Sequence, residues 1–248
     1  MLALALTLAA GLAAPRSPVA GIPLVRIPAG TFSMGSAAGE PGRGAEETIH
    51  RVTITRAFWL GATEVTQAQW SRVMGTNPSR FGGCARCPVE NVTWFDVQRF
   101  IEKLNAAPGG GFRLPTEAEW EYACRTGERP DAGSLDDAHA NFDARYPIGG
   151  GRAGRYRGRP VPVASFPEDL YGLYDMHGNV WEWCFDGYAP YPAGDAVDPR
   201  GLASAPKKVI RGGSWYFDAA SCRCAARYSH DPKDRGFSLG FRVARDER

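Results

Sequence analysis

Glycine and proline recur so often along this chain, 30 and 19 times in 248 residues, that no long periodic run survives between them. One residue tolerates any φ and the other removes a backbone donor, so both interrupt regular elements. Much of the backbone is therefore expected as loop and turn. A hydrophobic fraction of 44% still supplies a core. Length alone allows one large domain or two small ones, but no internal repeat, composition break or linker divides the chain. The expectation is a single compact α+β domain with little regular secondary structure. Net charge is only +2, with acids and bases interspersed. No basic stripe points to nucleic acid, and no acidic tail points to a solvating arm.

The regular elements that do show are short. LVRIPAGTFSMGS from Leu24 reads as a strand and turn, and His50 to Trp59 alternates as a half-buried strand does. Glu64 to Met74 reads as a helix with Thr63 or Thr66 as its cap and Val65, Trp70 and Val73 near one face. Thr93 to Leu104 places Val97, Phe100, Ile101 and Leu104 at helical spacing. Pro115 to Arg125 opens with a capping box, Thr116 and Glu119, and sets Trp120 and Cys124 on one face. Thr126 to Arg159 reads as loop.

Residues 1–20 are apolar and rich in Ala and Leu, too short to span a bilayer comfortably and suited to the core of a secretion signal. The expectation is a leader over 1–20, a mature domain over 21–248 without a membrane span, and a periplasmic or secreted location. Six cysteines in an exported chain favour disulfides, and three bridges have fifteen connectivities. Cys84 and Cys87 form a CxxC without the βαβ setting of a thioredoxin. As half of a zinc site they would need Cys222 and Cys224, at an unusual CxC spacing, as the other half. A structural bridge closing a small loop is the main reading. His50, His139, His177 and His230 are scattered without a metal-ligand spacing.

Seven segments appear in order between Ile27 and Arg242: IPAGTFSMGS, EVTQAQW, PVENVTWFDVQRF, RLPTEAEWEYACR, GLYDMHGNVWEWC, RGGSW and GFR. On these the chain resembles the formylglycine-generating enzymes, or sulfatase-modifying factors. The resemblance implies that family's fold, an α+β domain related to C-type lectins. It also implies the family's activity, oxidation of a cysteine in a sulfatase to formylglycine, and a partner that is an exported sulfatase or another protein or peptide.

The family's calcium sites carry over residue by residue. In YDMHGNVWEW, the resemblance implies Asp175 and Glu182 as carboxylate ligands and Gly178 and Val180 as carbonyl donors. Calcium takes about six to eight oxygens, and such a turn can begin the cage. The opposing reading has Asp175 and Glu182 capping the turn and pairing with arginines. A second calcium site keeps Asn141 and the Phe142 carbonyl but lacks its acid, because no Asp or Glu occurs from Ala144 to Phe166. That site is expected to be empty or much weakened. Calcium is the expected cofactor.

The family's oxidase chemistry needs two nearby cysteines that bind copper as thiolates, soft ligands suited to Cu(I). Counting forward from Gly212-Gly213-Ser214 places the two positions on Phe217 and Cys222. Counting back from CAAR places them on Ser214 and Ala219. Neither register holds a pair, so copper is not expected. The resemblance further implies a Cys124–Cys224 bridge and suggests a second between Cys184 and Cys222. Cys222 and Ser214 remain the candidate catalytic residues, and the counterpart of Trp181 lines the family's substrate cleft. Ser214 has an equally good reading as a group that satisfies local backbone amides. Two functions stay open: an oxidase that uses Cys222 with an unexpected partner, and a non-catalytic, calcium-stabilised module that binds a peptide, glycan or partner protein.

Overall fold

The three α-helices among the described residues begin with the same device, a threonine whose hydroxyl accepts a backbone amide three residues on while the side chain at that third position returns the bond. In the computed structural model, which describes residues 20–127, 135–202 and 204–247, Thr66 and Gln69 start α1 (Gln67–Met74) and Thr93 and Asp96 start α2 (Trp94–Asn105). Thr116 and Glu119 start α3 (Glu117–Gly127), with bonds of 3.1 and 2.8 Å. Each box satisfies orphan amides and contributes about 1 kcal/mol. The expected leader lies outside the described residues apart from Ala20.

α1 starts three residues later than expected. The amide of Val65 bonds to the carbonyl of Phe241 at 2.9 Å, and the Val65 carbonyl accepts from Val89 at 2.8 Å. Those tertiary bonds take the Val65 amide and carbonyl away from any helical pairing. A left-handed Gly75 ends the helix. The strand expected over His50 to Trp59 is two strands, β3 (His50–Ile54) and β4 (Phe58–Gly61). The amide of Thr55 bonds to the Asp198 carboxylate at 2.8 Å, and the chain turns there from one sheet to another.

Three small sheets result. β1 (Leu24–Ile27), β4, β5 (Phe112–Arg113) and β11 (Ala244–Asp246) form the first, in the order β1-β4-β11-β5. β2 (Gly30–Met34), β3 and β7 (Ala196–Val197) form the second, in the order β2-β3-β7. The third is β10-β6-β8-β9, built from β6 (Trp181–Gly187), β8 (Lys208–Arg211), β9 (Arg227–His230) and β10 (Leu239–Gly240). Among the described residues, 135–159 contain no helix or named strand, as expected.

The helices and sheets enclose three apolar clusters. α1 and α2 pack through Trp70 and Phe100, stacked at 5.2 Å, with Phe241 against both. A second cluster joins α3 to the sheets through Trp120, Ala123 and Val209. The third is small and lies beside the closing segment: Ala140, Phe142, Ala144, Ala219 and Cys222. β6 runs between these layers and is buried on both faces. Trp181 and Trp183 belong to the first cluster, while Glu182 points the other way toward Trp120.

Cys84–Cys87 and Cys124–Cys224 are disulfides, the second joining positions 100 apart in sequence. The expected third bridge does not form. Cys184 and Cys222 are both free and fully buried. The reason is packing: Cys184 belongs to the cluster around Trp120 and Val209, and Cys222 to the one around Phe142 and Ala219. Each sulfur fills an apolar site of its own, as a buried free cysteine does.

Candidate functional site

The DMHGN segment makes a tight turn in which Asp175, Gly178 and Asn179 all have positive φ, of 57°, 96° and 58°. Gly178 is required twice over. Its φ favours glycine, and a Cβ there would overlap the carbonyl of Asn141, which runs alongside as a parallel bridge. The turn is fixed by amide bonds from Gly178 to the Gly212 carbonyl and from Asn179 to the Asn141 carbonyl, both 2.7 Å. Trp215 donates to the Asn179 carbonyl at 2.9 Å, which joins this turn to RGGSW.

A buried polar network grows from the turn. Asn141 Nδ2 donates to Asn179 Oδ1 at 3.1 Å, and Asn179 Nδ2 donates to Glu64 Oε1 at 3.0 Å. The Glu64 and Asp175 carboxyls are near enough for Glu64 to feel the charge of Asp175. Asp175 Oδ2 accepts from the Ala164 amide at 2.8 Å. Glu182 is differently placed: both its oxygens accept from Arg242, at 2.7 Å each, and Oε2 also accepts from Trp120 Nε1 at 2.7 Å. Arg242 itself is fully buried and also donates to the carbonyls of Gly61 and Tyr174.

The charges in this network do not balance. Three carboxylates face a single guanidinium, and burial raises the pKa of two of them. The Asp175 carboxyl is pushed up to about 6, and Glu64, pressed also by the charges of Asp175 and Glu182, lies well above the ordinary range. Three buried oxygens have no donor: Asp175 Oδ1, Glu64 Oε2 and Asn141 Oδ1. Buried acceptors left in that state cost free energy, so a shared proton or a cation is called for. These are hard oxygens of the kind calcium takes, and the site fits such an ion. The Glu182 oxygens, however, are already engaged. Glu64 stands nearer that role, and sequence reasoning missed it although it lies in the EVTQAQW motif.

At the second expected calcium site, Asn141 Nδ2 donates to the carbonyl of Arg159 at 3.0 Å, and the Phe142 carbonyl accepts from Ala144 at 3.0 Å. The acid beside it, Asp143, is already engaged by Arg145, at 2.8 and 2.7 Å.

RGGSW packs directly on Cys222. Gly213 has a φ of 73°, and a Cβ there would overlap the Cys222 sulfur. Burial, with the nearby Asp218 charge, pushes the Cys222 thiol pKa well up. A thiol in that state is a poor nucleophile and a poor metal ligand. Ser214 is fully buried, and its Oγ accepts from the Tyr216 amide at 3.3 Å, as the local-backbone reading has it. Phe217, at the position of the first copper cysteine in the forward register, sets its ring edge against Trp181 at 5.4 Å. With one buried thiol and a phenyl ring, these two positions do not fit copper.

An aromatic surface covers this place. Trp181 is buried beneath Phe217 and Tyr228, the latter at 4.9 Å. Tyr216 meets Phe217 and Phe237, and Trp215 meets Tyr216, Phe237 and Tyr156. Tyr216, Tyr228 and Phe217 remain 53%, 45% and 36% exposed, large fractions for rings in one patch. Tyr228 and Phe237 carried no sequence signal, because only folding brings them beside RGGSW.

The three-sheet domain and its DMHGN–RGGSW junction define a chain of the formylglycine-generating enzyme type. The family model for the sulfatase-modifying factor enzyme 1-like domain matches residues 12–247, and the chain belongs to that family. It is 31% identical to the formylglycine-generating enzyme of Streptomyces coelicolor over 90% of this chain and 88% of that one. Among solved structures it is similar to PvdO from Pseudomonas aeruginosa, with a TM-score of 0.79 and 28% identity over 94% of this chain and 97% of the other. It is similar also to Treponema denticola variable protein 1, with a TM-score of 0.76 and 28% identity over 91% and 95%.

Proposed function

We propose that this chain is a non-catalytic member of its family, a calcium-stabilised module whose aromatic surface binds a peptide segment of a partner protein. One observation carries the reading. The two positions that would hold copper are a phenyl ring packed on Trp181 and a thiol sealed beneath the RGGSW turn. The rings of Tyr216, Phe217 and Tyr228 offer a peptide large apolar faces, with tyrosine hydroxyls for orientation. The unpartnered oxygens of Asp175, Glu64 and Asn141 support calcium as a structural ion. Two disulfides support export to the periplasm or the medium, where such bonds persist. Among the described residues no helix is long and apolar enough to cross a membrane.

The family's activity on sulfatases supplies the probe. The protein is incubated under oxygen with Cu(I) and a peptide carrying the Cys-x-Pro-x-Arg motif. Calorimetry reads binding and mass spectrometry reads aldehyde. Binding that weakens in Tyr216→Ala and Tyr228→Ala, with no aldehyde formed, is the expected result. Aldehyde formation refutes the non-catalytic reading, and absence of binding refutes the peptide surface.

A further inference from the structure

The Cys124–Cys224 disulfide does not stand alone. His177 places Nε2 4.0 Å from the Cys124 sulfur, and the three ligand atoms, two sulfurs and one nitrogen, all lie within 4.8 Å of one another. The imidazole is held from behind. Its Nδ1 lies 2.8 Å from the carbonyl of Cys222, which can only accept, so Nδ1 carries the hydrogen. In the neutral ring Nε2 is then bare, with its lone pair on the sulfur side. A histidine pinned through one nitrogen by a backbone carbonyl and presenting the other is the arrangement that metal-ligating histidines adopt.

We infer that the reduced form of this cystine is a metal site, in which Cys124, Cys224 and His177 bind a thiophilic divalent ion, Zn²⁺, and leave the fourth position to water. The distances support it. With Zn–S near 2.3 Å and Zn–N near 2.0 Å, a tetrahedral site sets sulfur and nitrogen about 3.5 Å apart and the two sulfurs about 3.8 Å apart. The nitrogen stands about 0.5 Å too far from the Cys124 sulfur and at most about 1.3 Å too far from the Cys224 sulfur, gaps that side-chain rotation closes as the two sulfurs separate. The chemistry balances. A dithiol reductant gives two electrons and two protons to the cystine and becomes a disulfide itself, and the two thiols then release two protons as Zn²⁺ binds. Cys124 and Cys224 are buried, and His177, half-buried, gives the ion a way in. Cys222 contributes its carbonyl, not its sulfur, to this place. The fold thus holds two alternative clasps between α3 and the closing segment, a disulfide when oxidised and a metal when reduced.

The test uses the full chain carrying Cys84→Ser and Cys87→Ser, which removes the other reducible pair. After reduction by a phosphine and anaerobic desalting, zinc binding is measured by competition with a chromophoric chelator, and Co²⁺ replaces zinc for spectroscopy. One equivalent of zinc, sulfur-to-cobalt charge-transfer bands, and an affinity lowered by roughly tenfold or more in His177→Ala are expected; even outer-shell partners of a site are worth about that much. The oxidised chain shows no such binding. Failure of the reduced chain to bind zinc, or equal affinity in His177→Ala, overturns the inference. Circular dichroism covers the case in which reduction unfolds the chain: added zinc then restores the fold, and a reduced chain that stays unfolded with zinc present overturns the inference equally.

Discussion

Replacing Arg242 by Met attacks the pair on which the buried network turns. Arg242 is fully buried, and Glu182 nearly so, with two bonds of 2.7 Å between them. The variant leaves the Glu182 carboxylate with Trp120 as its remaining donor and strips the carbonyls of Gly61 and Tyr174 of theirs. Leaving one member of a buried ion pair alone costs about 3–5 kcal/mol. For a chain of this size that lowers the midpoint of thermal unfolding by on the order of 10 °C. Urea unfolding followed through the seven tryptophans reads the effect directly. In the double variant Glu182→Gln/Arg242→Met neither charge remains, so a double-mutant cycle in EDTA should give a coupling of at least about 2 kcal/mol. Calcium adds a second arm. Once Arg242 is gone, the freed Glu182 faces the same space as Asp175 and Glu64, and calcium should stabilise Arg242→Met more than the wild type. A cycle additive within about 0.5 kcal/mol, or an equal calcium effect in both proteins, refutes the reasoning.

Two further outcomes are expected. Asp186 is buried and accepts the amides of Glu117, at 2.8 Å, and Gly201, yet burial and the Glu117 charge push its pKa from 3.8 up to about 6. An acid with a raised folded pKa binds its proton more tightly in the fold, so its contribution is present below about pH 4 and lost as pH rises through about 6. Relative to wild type, Asp186→Asn should therefore gain about 2 kcal/mol between pH 4 and pH 7, read by urea unfolding at each pH, and a pH-independent difference counts against it. Thiol titration of the unreduced protein should find none reactive when native and two when denatured, Cys184 and Cys222. A reactive native thiol contradicts the burial of Cys222.

Local chemistry made much of this fold legible. The three threonine caps and the helices behind them follow from side chains within a few residues of one another, and the density of Gly and Pro correctly limited the regular elements to short pieces. The ordered motifs identified the family, and the forward spacing from RGGSW put Phe217 where the first of the family's two copper cysteines would stand. Sequence could not show that Cys184 and Cys222 stay unpaired. Whether two sulfurs meet depends on which cluster each one fills, and Cys184 and Cys222 fill different ones. Nor could it show that Glu182 is held by Arg242, 60 positions away, while Glu64 and Asp175 are left to share a proton or a cation. The strand expected over His50 to Trp59 divided because a carboxylate 143 positions on captured Thr55.

By itself, then, the sequence determined the family and the approximate places of the three helices, since each is written in neighbouring residues and their spacing. Only the tertiary structure decided which buried charges are paired and that Cys184 and Cys222 stay apart. It also decided that His177 faces the Cys124–Cys224 sulfurs and that Tyr228 and Phe237 complete the aromatic surface. Those outcomes depend on contacts between segments far apart in the chain, where desolvation and packing choose a partner that no local pattern encodes.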